Sequence, residues 1–371
     1  MLSILWRAFF INKDFDYYKK RLSSQRIFAT HTGSNLLMDY KNSAIRKAAI
    51  TGVGGFVPED KLTNADLEKM VDTNDEWIVS RTGIKERRIL KDPSKGTSFM
   101  AIKAAEDLIQ KKQVNPVSID MVIVATITPD MPVAATAAYV ASEIGATNAF
   151  AYDIQAACSG FLYAMSTASA MISSGRYQKV MVIGADKMSS IVNYTDRSTC
   201  VIFGDGAGAA LFEATQNDFG WEDEYLRSDG SGRMFLNIKA GGSLYPTSEE
   251  TFKNGLHNLH QDGKSVFKYA VSEMANATEE ILKRNNIDHE KLDYLVPHQA
   301  NKRILDAIAR RINLPEEKIM KNIEYYGNTT AATLPLLLFD YESKLKPGDK
   351  LIFAAFGGGF TWGAAYLTWA Y

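Results

Sequence analysis

Cysteine is scarce in this 371-residue sequence, which holds only Cys158 and Cys200. Two thiols in so long a chain build no disulfide framework, and the C-x-x-C spacing of a metal site is missing. A reducing cytosol fits that usage. An excess of either charge is missing too. Lys and Arg number 42 against 43 for Asp and Glu, a net charge of -1. That balance gives no general attraction to nucleic acid or a membrane surface, so any charged docking site must be a local patch. Long apolar runs are absent as well. The apolar start of the chain is broken by Arg7, Lys13 and Asp14, too early for a membrane-spanning helix, and no small-residue cleavage site follows.

What remains is ordinary globular composition, 46% hydrophobic and 23% charged, with length for a large core or two fused ones. Residues 1–44 are rich in aromatic and basic residues and read as a disordered extension, or as the product of a start placed too early, with Met38 the alternative. Asp14, Asp16 and Asp39 argue against an organellar transit peptide, which is poor in acids.

The ordered chain is expected from about residue 45. Ala48–Ile50 reads as a buried strand running into a glycine-rich turn at Gly52–Gly55. Asn64 is expected to cap a helix with Leu67, Met70 and Val71 on one face. Helices are expected over 97–112, 133–145, 158–174, 264–285 and 300–312, with a further one from Asn328 to about Lys344. Apolar strands are expected at Met121–Ala125, near Phe150, at Val180–Ile183, at Tyr294–Val296 and at Leu351–Ala355. Fully apolar strands separated by helices imply sheets covered on both faces.

The order of elements repeats. Cys158 lies 22 residues before the strand start at Val180, and Asn328 lies 23 before the one at Leu351. Asp120 and Asp293 open corresponding strands. Two similar α/β halves follow, 45–217 and 218–371. In that register Cys158 and Asn328 hold equivalent places, each at the start of a buried helix of small residues.

A cysteine at a helix N-terminus feels the positive end of the macrodipole and unpaired N–H groups, which favour the nucleophilic thiolate. Small neighbours (Ala156, Ala157, Ser159 and Gly160) leave room for a substrate carbonyl. His298 follows an apolar strand, where open α/β sheets place ligands. His31 lies in the extension, and His257, His260 and His289 lie in polar, loop-like sequence. Cys158, His298 and Asn328 could therefore meet at one pocket. Gly357–Gly359 can present backbone N–H groups as an oxyanion hole. Gly204–Gly208 precedes a strand, where a dinucleotide loop must follow one and open a helix, so it is not read as such a loop.

These motifs together resemble β-ketoacyl-acyl-carrier-protein synthase III, the initiating condensing enzyme of type II fatty acid synthesis in the thiolase superfamily. The resemblance runs from about residue 46 to the C-terminus. It rests on Asp75–Ile78 with Arg81–Ile84, on Ala156–Gly160, on Phe203–Gly208, on Pro297–Asn301, on Gly327–Thr329 and on Phe356–Gly363. It implies a thiolase-like, five-layered αβαβα fold. It also implies a decarboxylative Claisen condensation of a short acyl-CoA primer, through an acyl-Cys158 intermediate, with malonyl-acyl carrier protein.

By the same resemblance, the N–H groups of Cys158 and Gly358 form the oxyanion hole. His298 and Asn328 hold the malonyl thioester carbonyl. Trp77 and Arg197 sandwich the adenine of coenzyme A, with Thr73 as a further nucleotide contact. Arg81, Arg303, Arg310 and Arg311 dock the acidic acyl carrier protein. No metal or redox cofactor is implied, and a cytoplasmic homodimer is. Val133 falls where a partner subunit closes the acyl pocket in this family. A valine there leaves room for branched or longer primers. The polar stretch 233–255 looks longer than the family's usual connection and is expected to cover the pocket or lie at the dimer edge. A related condensing enzyme of secondary metabolism is the alternative reading. A papain-like hydrolase would place its Cys near the mature N-terminus and has no need of paired halves.

Overall fold

The computed structural model describes residues 46–371, and the expectations for residues 1–44 lie outside the described residues. The chain runs β1 (Lys47–Phe56), β2 (Lys61–Thr63), α1 (Asn64–Leu67), α2 (Asp75–Thr82), β3 (Glu86–Arg88), α3 (Thr97–Lys112), β4 (Met121–Ala125), α4 (Thr136–Glu143), β5 (Phe150–Ile154), α5 (Gly160–Ser173), β6 (Lys179–Asp186) and β7 (Gly206–Thr215). It continues through β8 (Gly220–Ser228), β9 (Leu236–Asn237), α6 (Glu249–Lys253), β10 (His260–Gln261), α7 (Gly263–Arg284), β11 (Tyr294–Pro297), α8 (Lys302–Arg311), α9 (Ile323–Tyr326), α10 (Thr333–Tyr341), β12 (Lys350–Gly357) and β13 (Thr361–Thr368).

Alternation of side chains along the strands builds the layers. Met121, Ile123 and Ala125 of β4 face a central core with Phe161, Leu162 and Met165 of α5 and Leu334, Leu337 and Leu338 of α10. Their neighbours Val122 and Val124 face the opposite way, against Met100, Ala104 and Leu108 of α3 and Val140 of α4. On β12, Leu351, Phe353 and Ala355 enter that same central core. Ile352, Ala354 and Phe356 pack instead under Met274 and Ile281 of α7 and Ile304 and Ile308 of α8. The result is five layers, helix–sheet–helix–sheet–helix, with α5 and α10 in the middle. Strands buried on both faces explain why their sequences read as unbroken apolar runs.

The two large sheets repeat one strand order. The first is β1-β7-β6-β4-β5 and the second is β8-β13-β12-β11. A single parallel bridge from Leu295 to Ile319 stands where a fifth strand would pair. Even small details recur. The Asp120 carboxylate accepts from the N–H of Lys179 at 3.0 Å, and the Asp293 carboxylate from that of Lys350 at 2.8 Å. Each ties the start of one central strand to the next.

Several expectations are corrected. Gly52–Gly55 continue β1 rather than turning out of it. A Cβ on Gly54 would lie 2.7 Å from the Leu108 backbone nitrogen, so glycine lets α3 sit on the strand. Asn64 is not the cap of its helix. Thr63 caps it, in a capping box with Asp66, and the helix is one turn long. Met70 is accordingly 46% exposed. Helix α4 begins at Thr136 rather than 133, because the Asp153 carboxylate takes the N–H groups of Thr136 and Ala137, each at 2.7 Å.

The register of the repeat also shifts. Short 3-10 turns, Ala157–Ser159 and Thr330–Ala332, lead into α5 and α10. Each opens on a residue with positive φ, Ala157 at 48° and Thr330 at 50°. Aligned on these turns, Cys158 falls opposite Ala331, and Asn328 falls opposite Gln155.

Candidate active site

Cys158 sits in the turn before α5, 6% exposed. The glycines of the β12–β13 connection close over it. A Cβ on Gly357 would lie 2.7 Å from the Cys158 nitrogen, so only glycine fits there. The N–H groups of Cys158 and Gly358 have no hydrogen-bond partner among the described residues. Gly358 shares a cavity wall with Cys158.

His298 follows β11 and is held by its backbone, whose N–H reaches Ala354 O at 2.8 Å. Its Nδ1 lies 3.2 Å from the Thr333 hydroxyl, leaving Nε2 as the ring nitrogen without a partner among the described residues. Asn328 is anchored by its own N–H to Ile202 O at 2.9 Å, while its carbonyl accepts from Gly204 N–H at 3.1 Å. Its side-chain Oδ1 accepts from Thr330 N–H at 2.9 Å. An N–H can only donate, so this bond fixes which end of the amide is oxygen and leaves Nδ2 as a free donor.

Cys158, His298 and Asn328 line one cavity of about 160 Å³, together with Phe203, Phe267 and Phe356. On its other side Cys158 lines a second cavity of about 720 Å³. Residues 127–132, Met188, Ile191, Phe203, Leu236 and Leu259 form much of that wall. Arg233, Asn237, Gly241 and His257 join it, so the 233–255 stretch covers this cavity.

The electrostatics depart from the expected thiolate. Burial, followed by the nearby Asp186 carboxylate, pushes the Cys158 thiol up to about 12. Burial pushes the His298 imidazole down to about 3. Both groups are therefore neutral near pH 7. The helix-start position does not ionise Cys158, because burial disfavours the thiolate and Asp186 adds charge of the wrong sign.

The nucleotide candidates lie together. The Arg197 guanidinium lies 5.0 Å from the Trp77 ring centroid, and Arg81 lies 5.3 Å from it. Arg197 also donates to Asp72 O at 2.6 Å. The Thr73 hydroxyl is a buried oxygen with no partner among the described residues. Of the carrier-docking candidates, Arg303 lies over Phe267 at 5.6 Å and Arg310 is exposed. Arg311 turns back onto α7, 3.7 Å from Glu279 and bonded to Asn276. Lys302 packs under Gly83 and pairs with Asp306 at 2.6 Å. Val133 is 84% exposed and lines neither cavity of this chain.

Sequence reasoning missed three groups. Asp186, Thr330 and Thr333 are all at most 2% exposed and join the site from behind. It also missed Arg87, which is wholly buried. Arg87 donates to Asn64 Oδ1 at 2.5 Å and to Val201 O. It thereby supports the 201–204 backbone from which Asn328 hangs. The available signal was Asp186 itself, an acid at the carboxyl end of an apolar strand.

A five-layered fold with a buried cysteine, histidine and asparagine around one cavity defines a thiolase-like condensing enzyme. The chain matches the family described as 3-oxoacyl-[acyl-carrier-protein] synthase III over residues 152–230, and the C-terminal part of that family over 282–369. It is 56% identical over 324 residues to the β-ketoacyl-[acyl-carrier-protein] synthase III of Phocaeicola vulgatus, covering 87% of this chain and 97% of that one. The corresponding enzyme of Porphyromonas gingivalis is 53% identical with the same coverage. The crystal structure of 3-oxoacyl-[acyl-carrier-protein] synthase III from Aquifex aeolicus superposes with a TM-score of 0.80 at 40% identity, over 87% of this chain and 100% of that one. The chain belongs to this family, as an acyltransferase of fatty acid biosynthesis.

Proposed function

We propose that Cys158 accepts the acyl group of an acyl-CoA primer and that His298 and Asn328 drive decarboxylation of a malonyl-acyl carrier protein, giving a β-ketoacyl product. The observation that carries this reading is the shared 160 Å³ cavity of the three side chains. In the first half-reaction the Cys158 sulfur attacks the thioester carbonyl. The carbonyl oxygen gains negative charge between the free N–H groups of Cys158 and Gly358. Coenzyme A leaves as the thiol, so the Cys158 proton ends on the departing sulfur and no net charge is created.

In the second half-reaction the malonyl C–C bond breaks, CO₂ leaves, and its electron pair becomes an enolate. Asn328 Nδ2 is free to donate to the enolate oxygen. His298 donates from Nε2 when the Thr333 hydroxyl turns its proton from the Thr330 carbonyl onto Nδ1. Neutral donors aimed at developing charge favour the transition state over the ground state. The enolate carbon then attacks acyl-Cys158, forming the new C–C bond and releasing the Cys158 sulfur, which takes up a proton.

Trp77, Arg197 and Thr73 would hold the coenzyme A nucleotide. A planar base suits the indole and guanidinium faces, and Arg197 must draw back from Trp77 to admit it. Arg81, Arg303 and Arg310 offer cations to the acidic carrier protein, while Arg311 is held by α7. A second copy of the chain would close the large cavity at Met131 and cover the exposed Val133 beside it. A cavity of about 720 Å³ supports primers larger than acetyl.

Intact-mass measurement after mixing with acetyl-, isobutyryl- and isovaleryl-CoA tests the whole scheme. The expected result is an acyl adduct on Cys158 with the branched primers as well as with acetyl. No adduct with any acyl-CoA defeats the reading, and strict acetyl preference defeats the primer assignment.

A further inference from the structure

Behind Asn328 lies a polar hub of which the proposed reaction uses only the Thr333 hydroxyl. Thr330 stands at its centre, and three of its groups are engaged. Its N–H donates to Asn328 Oδ1 at 2.9 Å. Its carbonyl accepts the Thr333 hydroxyl at 2.8 Å. Its own hydroxyl donates to Asp186 Oδ2. The second Asp186 contact on that side is Ala331 N–H, at 3.1 Å.

Asp186 is fixed from the other side too. Its Oδ1 accepts from Thr126 Oγ1 at 2.9 Å, Ile127 N–H at 2.8 Å, and Thr128 N–H and Oγ1 at 3.2 and 3.0 Å. One fully buried carboxylate therefore binds the end of β4 to the turn that opens α10. Those segments belong to different halves of the chain, and Asn328 and His298 both lean on the second.

The backbone of the hub is unusual as well. Thr330 has φ of 50°, a region that β-branched residues rarely adopt and that glycine or asparagine fills at less cost. A threonine held there is over-determined by its surroundings. The side-chain bond to Asp186 is the group that glycine would lack.

We propose that Thr330, anchored by Asp186, is a positioning residue for the malonyl half-reaction: it aims the Asn328 amide so that Nδ2 points at the enolate oxygen. The proposal rests on the roles given above to Asn328 and His298. Thr330 reaches Asn328 through its backbone N–H, so its aim depends on where the turn is held. Asp186 holds that turn through the Thr330 hydroxyl and the Ala331 N–H. Cys158 stands on the other turn and makes none of these bonds, though Thr330 lines the 720 Å³ cavity beside it, which is why the acylation rate is measured separately.

Three variants test this: Thr330→Val, Thr330→Ser and Asn328→Ala. For each, Cys158 acylation by acyl-CoA is followed by intact mass, and CO₂ release from malonyl-acyl carrier protein is followed at saturation. Thr330→Val keeps the branched shape without the hydroxyl. Its expected turnover is lower by about 10–100-fold, with KM for the malonyl substrate and the acylation rate within about twofold of the parent. Thr330→Ser restores the hydroxyl and is expected to recover turnover to within about threefold. Loss of acylation in step with turnover in Thr330→Val would mark a general structural role and overturn the proposal. So would unchanged turnover in Thr330→Val, or failure of Thr330→Ser to recover it. Asn328→Ala separates the two levels of argument. If it decarboxylates normally, the role given to Asn328 is wrong. If it fails while Thr330→Val is normal, only the positioning role is wrong.

Discussion

The turns that open α5 and α10 have the same backbone and different chemistry. Both begin on a positive-φ residue, both lead into a central helix, and both sit beside the end of a buried strand. The first turn exposes a sulfur to two cavities. The second exposes no nucleophile and points hydrogen-bond groups at its own neighbours. Ala331, the counterpart of Cys158, gives its N–H to Asp186, whereas the Cys158 N–H is left free. One geometry thus leaves an N–H without a partner among the described residues in one half and engages it in the other.

The hardest way to break that division is to remove the sulfur. Cys158→Ala should give no acyl adduct by mass spectrometry, yet still release CO₂ from the malonyl substrate. Loss of CO₂ release as well would mean that the two turns do not work separately. Next in size are His298→Ala and Asn328→Ala. Each should acylate Cys158 and lose about 10²–10³ in condensation rate, read by single-turnover assay.

Gly357→Ala sharpens the first turn alone. Its added Cβ would meet the Cys158 nitrogen at 2.7 Å, with little room to shift. A stability loss of about 1–3 kcal/mol is expected in urea unfolding, with a larger drop in acylation than in CO₂ release.

The smallest effect is one of pH. Folded His298 titrates at about 3, below the ordinary value of 6.5. A lowered folded pKa contributes stability that is present above 6.5 and is lost as pH falls towards 3. Each pH unit in that window costs about 1.4 kcal/mol. Urea unfolding at pH 7.5 and about 5.5 should differ by roughly that amount more in the parent than in His298→Asn. Cys158 acts at the other end. Its raised pKa contributes stability that is present below about 9 and is lost as pH rises towards 12. Between those limits neither residue should give a titration step in condensation rate.

Much of this was readable in the chain because the central strands are buried on both faces. Met121–Ala125 and Thr97–Lys112 fall where the apolar runs and periodicity put them. The errors lie where a distant group decides. Gly54 reads as a turn until α3 is laid on it, and α4 starts where Asp153 holds it. Cys158, His298 and Asn328 could be gathered from motif and family resemblance. The Thr330–Asp186 bond spans 144 residues, and no local pattern announces a partnership of that length. Asp186 nevertheless met the criterion that singled out His298, a polar residue at the carboxyl end of an apolar strand.

The central layer has a consequence for synthesis. Helix α5 contains no charged residue and packs in the core it shares with α10. That second helix is translated some 160 residues later, about 10–30 s at common ribosome speeds. During that wait the emerging first half carries a bare apolar flank. Holdase chaperones, or a slow codon plan that delays nothing after α10, would be felt most at this interval.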